Sequence, residues 1–376
     1  MTANSPQYIW QNKNWTDFSW HSDRILPLLG KARHIQGKIF FRMKSLGFNL
    51  TQEAQAEILT EEAVKTAAIE GEILNRDSVR SSVARRLGLP QAGLPPVERH
   101  VDGLVEILLD ATRNYEKPLT GKRLKSWQAA LFPTGYSGLH KIRAGAWRSG
   151  DIQVVSGPVG REQVHFQAPP SARIDKEMKK FFLWWEKSRG NTEGFLRAGI
   201  AHFWFVTIHP FEDGNGRITR VLTDAALAQD EKLAVRYYSF SSQIMEERNV
   251  YYDILENSQK SGNDITSWLE WFLESLIRAM EKSEDLIADV LAKAEFWQRN
   301  SQLTISERQR KVINRLLAAG VGNFQGGLTT RKYVSLTKTS RATAFREISD
   351  LVEKKILIQD PKSKGRNVSY DLNWGE

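Results

Sequence analysis

Apolar side chains recur every three to four positions through most of the chain, as in Ile25/Leu28/Leu29, Val101/Leu104/Val105/Leu108, Phe181/Leu183/Trp184, Val221/Leu222/Ala225/Leu227 and Trp268/Leu269/Phe272/Leu273. That spacing lines them up on one side of an α-helix, so the protein is expected to be mainly α. Helices are expected from about Gln52 to Glu70 and from Asn75 to Leu87, with Gly71 breaking the pattern between them. The stretch Phe195–Phe211 is strongly apolar but contains Arg197, His202 and His209. It is too short and too polar for a membrane span and reads as a buried helix. Residues 150–168 keep a different rhythm: Ile152–Val155 and Val164–Phe166 favour β-structure around a Gly-Pro-Val-Gly turn, which predicts a β-hairpin lying outside the core.

Two breaks divide the pattern, the Pro- and Gly-rich Gly88–Pro96 and the polar stretch Trp297–Glu307. They predict three units, 1–90, 91–297 and 298–376. The last unit reads as helices over Ser306–Leu317, Thr329–Tyr333 and Ser340–Lys354, then short strands at Ile356–Ile358 and Val368–Leu372 around a basic turn. Three helices and a hairpin suggest a winged helix-turn-helix, with Thr339/Ser340 as the cap of its last helix. Lys338, Arg341 and Arg346, with Lys362, Lys364 and Arg366 on the turn, suit contacts to phosphates. The same residues suit a solvated face on a protein-docking module, so both a DNA and a protein partner stay open for 298–376.

The length of 376 residues exceeds what one core usually supports, and 41% apolar with 26% charged residues is an ordinary globular composition. The absence of cysteine excludes disulfides, thiolate nucleophiles and Cys-built zinc sites. The opening MTANSPQYIWQNKNW lacks a basic segment followed by an apolar run, so export is not expected and the cytoplasm is. Of the net charge of +9, residues 301–376 hold +7, from 14 Lys plus Arg against 7 Asp plus Glu.

The most informative segment is Ile208-His-Pro-Phe-Glu-Asp-Gly-Asn-Gly-Arg-Ile-Thr-Arg220, a polar loop between two helical patterns. Gly214 and Gly216 flank Asn215 and let the backbone present amides at a helix N-terminus, where the macrodipole also favours an anion. Arg217 and Arg220 stand three apart and share a helix face beside that terminus, which suits a polyphosphate. Asp213 supplies a hard oxygen where Mg2+ would bridge phosphates, and His209 is placed to act as a base. His202 and His209 lack a third ligand nearby, so zinc is not expected, and neither a P-loop nor a dinucleotide-binding glycine pattern is present.

His209, Phe211, Asp213, Gly214, Asn215, Gly216, Arg217 and Arg220 together reproduce the Fic signature, and the chain resembles Fic-family adenylyltransferases. The resemblance implies a Fic-type helical core with ATP and Mg2+ as cofactors. His209 would deprotonate a Ser, Thr or Tyr hydroxyl of a target protein, which attacks the α-phosphorus of ATP. Phe211 would anchor the loop, Asp213 would hold Mg2+, Asn215 and the glycine amides would cradle phosphates, and Arg217 with Arg220 would bind the β- and γ-groups. Thr66-Ala-Ala-Ile-Glu-Gly71 is similar to the family's inhibitory motif, which implies that Glu70 pairs with Arg220 and occupies the γ-phosphate site. The hairpin at 150–168 resembles the flap on which the target docks, and Tyr251 and Tyr252 are candidates for the adenine pocket.

Two functions stay open at this point: AMP transfer to proteins, and a nucleotide-sensing DNA-binding regulator built on the same core. Relatives that transfer phosphate or phosphocholine, or remove AMP, belong to the first class. Dimers occur in the family, but no segment here specifies their interface, and nothing calls for a membrane.

Overall fold

The helical periodicity is realised in the computed structural model as a mainly α fold, 64% helix with a few short strands. The structure describes residues 7–45, 48–89, 95–156, 161, 163–320, 324–361, 363 and 368–375, and divides into units 1–284 and 285–376. The first unit opens with α1 (Ser22–Ser45), α2 (Phe48–Ile69), α3 (Arg76–Leu87), α4 (Arg99–Arg113) and α5 (Gly121–Leu131). Two hairpins follow, β1 (Tyr136–Ser137) with β2 (His140–Lys141) and β3 (Gln153–Ser156) with β4 (Gln163–Gln167), both antiparallel. Then come α6 (Ile174–Ser188), α7 (Gly194–Ile208), α8 (Asn215–Glu231), α9 (Phe240–Glu246), α10 (Arg248–Gln259) and α11 (Thr266–Arg299), whose residues from Asp285 onward belong to the second unit.

The first hairpin was not expected, because two-residue strands leave no alternation to detect. The second falls where expected, pairing Val154 with Phe166 and shifting register between Val154 and Val155, while residues 157–160 of its turn lie outside the described residues. It is not wholly peripheral. Phe166 is buried edge-on against Tyr8 at 5.3 Å, and Trp10 Nε1 donates to the Gln167 carbonyl at 2.7 Å.

All of α7 is buried, as its apolar composition predicts, and it packs along α8. Gly199 permits α11 to close on α7, since a Cβ there would stand 3.0 Å from Leu269 and Phe272. The cation and imidazole inside α7 are satisfied locally: Arg197 donates to Ser188 Oγ and the Trp185 carbonyl, and His202 bridges Thr223 Oγ1 at 2.9 Å and the Tyr251 hydroxyl at 3.0 Å. Burial and the nearby Arg220 push the His202 pKa down to about 3, so it is a neutral strut.

Helix α2 packs on α3, α4, α8 and α9 through buried small residues, among them Ala54, Ala56, Ala63 and Ala67. Its buried Glu62 carboxylate accepts from Ser239 Oγ at 2.7 Å, from the Ser241 amide at 3.0 Å and from the Ser241 hydroxyl. Asn75 caps α3 by accepting from the amides of Asp77 and Ser78, and Gly88 closes it at φ 72.

The second unit holds α12 (Glu307–Ala319), α13 (Thr330–Thr337), α14 (Arg341–Glu353) and an antiparallel pair, β5 (Leu357–Gln359) with β6 (Tyr370–Leu372). Its core is built by Val312, Leu316, Tyr333, Ile348, Leu351 and Leu372. Lys362, Lys364 and Arg366 lie outside the described residues. No helix among the described residues is long and apolar enough to cross a membrane.

Candidate active site

Helix α7 stops at His209, which adopts a left-handed conformation (φ 51, ψ 60) while its amide still donates to the Phe205 carbonyl at 3.1 Å. A non-glycine residue in that region is uncommon and is held only where its surroundings impose it. Here Phe211 is buried against Trp147 at 4.8 Å. Asn215 clamps the loop from within: its Oδ1 accepts from the Phe211 amide at 2.9 Å and its Nδ2 donates to the Phe211 carbonyl at 2.8 Å. Both ends of the Asn215 side chain are thus committed to the loop backbone, so it braces the turn where the sequence reading gave it a phosphate. Gly214, at φ 85, then starts α8. A Cβ on it would lie 2.9 Å from the Phe132 ring, so shape and dihedral both call for glycine.

His209 borders a cavity of about 690 Å3 that is also lined by Glu70, Arg220, Tyr252 and the β3–β4 hairpin. Its Nδ1 lies 3.2 Å from the Val206 carbonyl, which can only accept, so Nδ1 carries the proton and Nε2 is the basic nitrogen. Burial lowers its pKa to about 4, against the opposing pull of the Val206 carbonyl, so the ring is neutral at physiological pH.

The two arginines of α8 are both engaged by carboxylates from the α2–α3 turn. Arg220, only 2% exposed, donates from Nε to Thr66 Oγ1 at 2.6 Å and from its terminal nitrogen to the Thr66 carbonyl and Glu70 Oε1, each at 2.8 Å. Arg217 donates to Glu72 Oε2 at 3.0 Å and stacks over Phe132 at 4.9 Å, while its buried Nε has no partner. Glu70 also presses on the helix start, since a Cβ on Gly216 would meet its Oε1 at 2.1 Å. A carboxylate therefore sits where the amides and cations of α8 would otherwise receive an anion.

Asp213 Oδ1 accepts from the Gly214 amide at 2.5 Å and its Oδ2 accepts from the Ser137 hydroxyl. Tyr251 is buried among Trp268, Trp271 and His202, and its hydroxyl is taken by His202, so it belongs to the core as much as to the cavity wall. Tyr252 is the more exposed of the pair and lies under Arg248 at 5.4 Å.

Residues 118–227 match the Fic/DOC family model, and residues 8–89 match a domain of unknown function (DUF4172). The chain contains a Fic domain. In fold the chain is similar to a Fic family protein from Desulfovibrio desulfuricans G20, with 21% identity, a TM-score of 0.53 and coverage of 93% of this chain and 96% of that one. It is also similar to a Fic domain containing signaling protein from Bacteroides thetaiotaomicron, with 17% identity, a TM-score of 0.51 and coverage of 70% of this chain and 97% of that one. Fic-domain proteins are typically transferases that place nucleotides or other modifying groups on proteins.

Four residues that brace or oppose the Fic motif were not found from the sequence. Arg148 is buried and donates to the carbonyls of His209 at 2.7 Å, Gly150 at 2.8 Å and Pro169 at 2.6 Å, tying the loop that begins at His209 to the base of the hairpin. Gln128 reaches the Asp213 carbonyl at 3.4 Å, Ser137 orients the Asp213 carboxylate, and Glu72 holds Arg217. None shares a short motif with 209–220; only the unusual burial of an arginine without a carboxylate partner singles out Arg148, and that is visible in the fold alone.

Proposed function

We propose that the protein transfers AMP from ATP to a hydroxyl of a target protein, and that Glu70 holds this activity in check. The observation that carries the reading is the neutral His209, with Nδ1–H fixed on Val206 and Nε2 basic, beside a cavity in which Arg220 is paired with the Glu70 carboxylate. Nε2 would take the proton of a Ser, Thr or Tyr hydroxyl as its oxygen bonds to the α-phosphorus. The bond from that phosphorus to the bridging oxygen breaks and pyrophosphate leaves.

Arg217, with its buried unpaired Nε, and Arg220 would hold the β- and γ-phosphates once the glutamates withdraw, aided by the amides at Gly214 and Gly216. The donor chemistry suits Mg2+. Each Asp213 oxygen accepts one hydrogen bond and keeps a lone pair, and Mg2+ is usually bound by one or two carboxylates with phosphates completing its shell. Bound there, the ion would neutralise phosphate charge. An extended target segment would add to a free edge of the β3–β4 hairpin, whose exposed Val155 and Val164 offer apolar footholds. An intact general base supports an enzyme over a pure nucleotide sensor, which needs none.

Incubation of Glu70→Gly protein with Mg2+ and ATP labelled at either the α- or the γ-position tests the reaction class. Covalent label from the α-position alone is expected. Label from the γ-position alone would replace AMP transfer by phosphate transfer, and bound nucleotide with no label from either would favour the sensing regulator.

A further inference from the structure

We propose that the outer face of α14 is a docking surface for duplex DNA, independent of the chemistry at His209. Helix α14 follows α13 after a three-residue turn, 338–340, in which Lys338 is left-handed at φ 53 and Ser340 caps α14 by accepting from the Thr343 amide at 3.2 Å. Two helices joined by so short a turn form a helix-turn-helix, the arrangement that presents its second helix to a groove. The inner face of α14 is Ala344, Ile348 and Leu351, all buried in the unit's core. Exposed on this helix are Arg341, Ala342, Phe345, Arg346 and Ser349: Ala342, Arg346 and Ser349 lie opposite the buried residues, while Arg341 stands at the N-terminal end in line with Ala344 and Ile348, with Phe345 on the flank beside it.

Three features of that outer face point to an anion with apolar edges. First, among the described residues Lys338, Arg341 and Arg346 form no salt bridge, and Arg346 meets only the field of Glu347, while the nearby acids are committed elsewhere: Glu347 to Arg308 at 2.6 Å and to the Tyr333 hydroxyl at 2.8 Å, and Asp350 to Lys354 at 2.7 Å and Gln309 at 2.6 Å. Second, the first turn of α14 holds no acid, and it carries Arg341 where the helix dipole disfavours a cation. Helix stability does not explain that placement; an external polyanion does. Third, Phe345 is 61% exposed between the two arginines. An unpartnered aromatic there suits contact with thymine methyls or sugar edges, and guanidinium groups suit phosphates and guanine.

Size agrees with the charge. A thirteen-residue helix is roughly 20 Å long and about 10–12 Å across with its side chains, which matches the roughly 12 Å width of the major groove. The acids on the exposed side, Asp350 and Glu353, lie in the C-terminal half of the helix, away from the N-terminal residues that meet base edges in such dockings, and Asp350 is committed to Lys354 and Gln309. The +7 excess of residues 301–376 supplies the long-range attraction.

Fluorescence anisotropy of the full chain with a labelled mixed-sequence duplex, over salt from about 50 to 200 mM, tests the proposal. Wild type should bind at low salt. Arg341→Ala/Arg346→Ala should weaken binding and lower the slope of log K against log salt by roughly 2, because two phosphate contacts are lost. Phe345→Ala should weaken binding with the slope unchanged. Lys176→Ala/Lys179→Ala, which removes two exposed cations from α6, should bind like wild type, and all variants should retain the wild-type level of AMP transfer. The proposal fails if the α6 control loses as much affinity as the α14 variant. It also fails if the duplex does not bind at low salt, or if polyglutamate binds as tightly as the duplex, which would assign the face to an acidic protein partner.

Discussion

Replacing Glu70 by Gly is expected to raise AMP incorporation roughly ten- to a hundredfold, the factor that follows from losing one charge-assisted hydrogen bond of about 1.5–3 kcal/mol. Glu70 Oε1 is bonded to Arg220 at 2.8 Å and lies against Gly216, so a nucleotide whose terminal phosphate seeks the same guanidinium meets a negative charge in the way. Removing the carboxylate leaves Arg220 bonded only to Thr66, with a buried donor free. The variant should therefore be less stable without ligand, by about 1–2 kcal/mol, and should gain more thermal stability from ATP than wild type does. Glu72 restrains Arg217 from a more exposed position, so Glu72→Ala should give a smaller rise alone and add to Glu70→Gly. Labelling by Glu70→Gly at the wild-type level, with ATP shown to bind, would remove autoinhibition from the account.

In the Glu70→Gly background, His209→Ala should lower AMP transfer by about 10²–10⁴-fold and leave ATP affinity nearly unchanged, since the proposal gives proton transfer to the imidazole and binding to the arginines. The pH dependence carries a sign. A pKa held down to about 4 means that the folded protein keeps the ring neutral while the unfolded chain would protonate it near the usual 6.5. The unfolded state then binds more protons between those values, so this group withdraws stability as pH falls from about 6.5 towards 4. For catalysis the acid limb of kcat/KM, which reports the free enzyme, should fall near pH 4. The limb of kcat should lie higher, because bound phosphates favour the charged ring. An acid limb of kcat/KM unchanged by a substitution that spares activity at Arg148, whose cation also lowers the His209 pKa, would separate burial from charge as the cause.

The helical character was legible because apolar residues repeat at helical spacing over long windows, and the loop 209–220 because its residues are contiguous. Glu70 was within reach for the same reason: its motif is a short run on one helix, and the structure sets it against Arg220 across 150 residues. What escaped the sequence is what depends on geometry that residue identity does not carry. Asn215 looks like a phosphate donor in a glycine-flanked loop, but its side chain is engaged at both ends by the Phe211 backbone, a geometry that only the folded turn defines. Tyr251 reads as a pocket aromatic and proves equally a core residue, because His202 on α7 takes its hydroxyl. Arg148 bonds only to backbone carbonyls, and carbonyls leave no trace in residue identity.

The packing of α2 has a consequence for how Glu70 lets go. Its body is fixed by small residues against four helices and by Glu62 in a pocket of serine donors, whereas Glu70, Gly71 and Glu72 hang from carbonyls of Ala67 and Ala68 through single turn bonds, with Gly71 at φ 83. Release is then a fraying of one terminal turn, a latch that lifts while its post stays put. In hydrogen exchange, amides from 70 to 72 should open locally and fast, and faster still with ATP in excess, while those from 54 to 63 wait for global unfolding. On the proposed autoinhibition, an activator needs to supply only the free energy of a few residues, and a small ligand or a short peptide has that much to give.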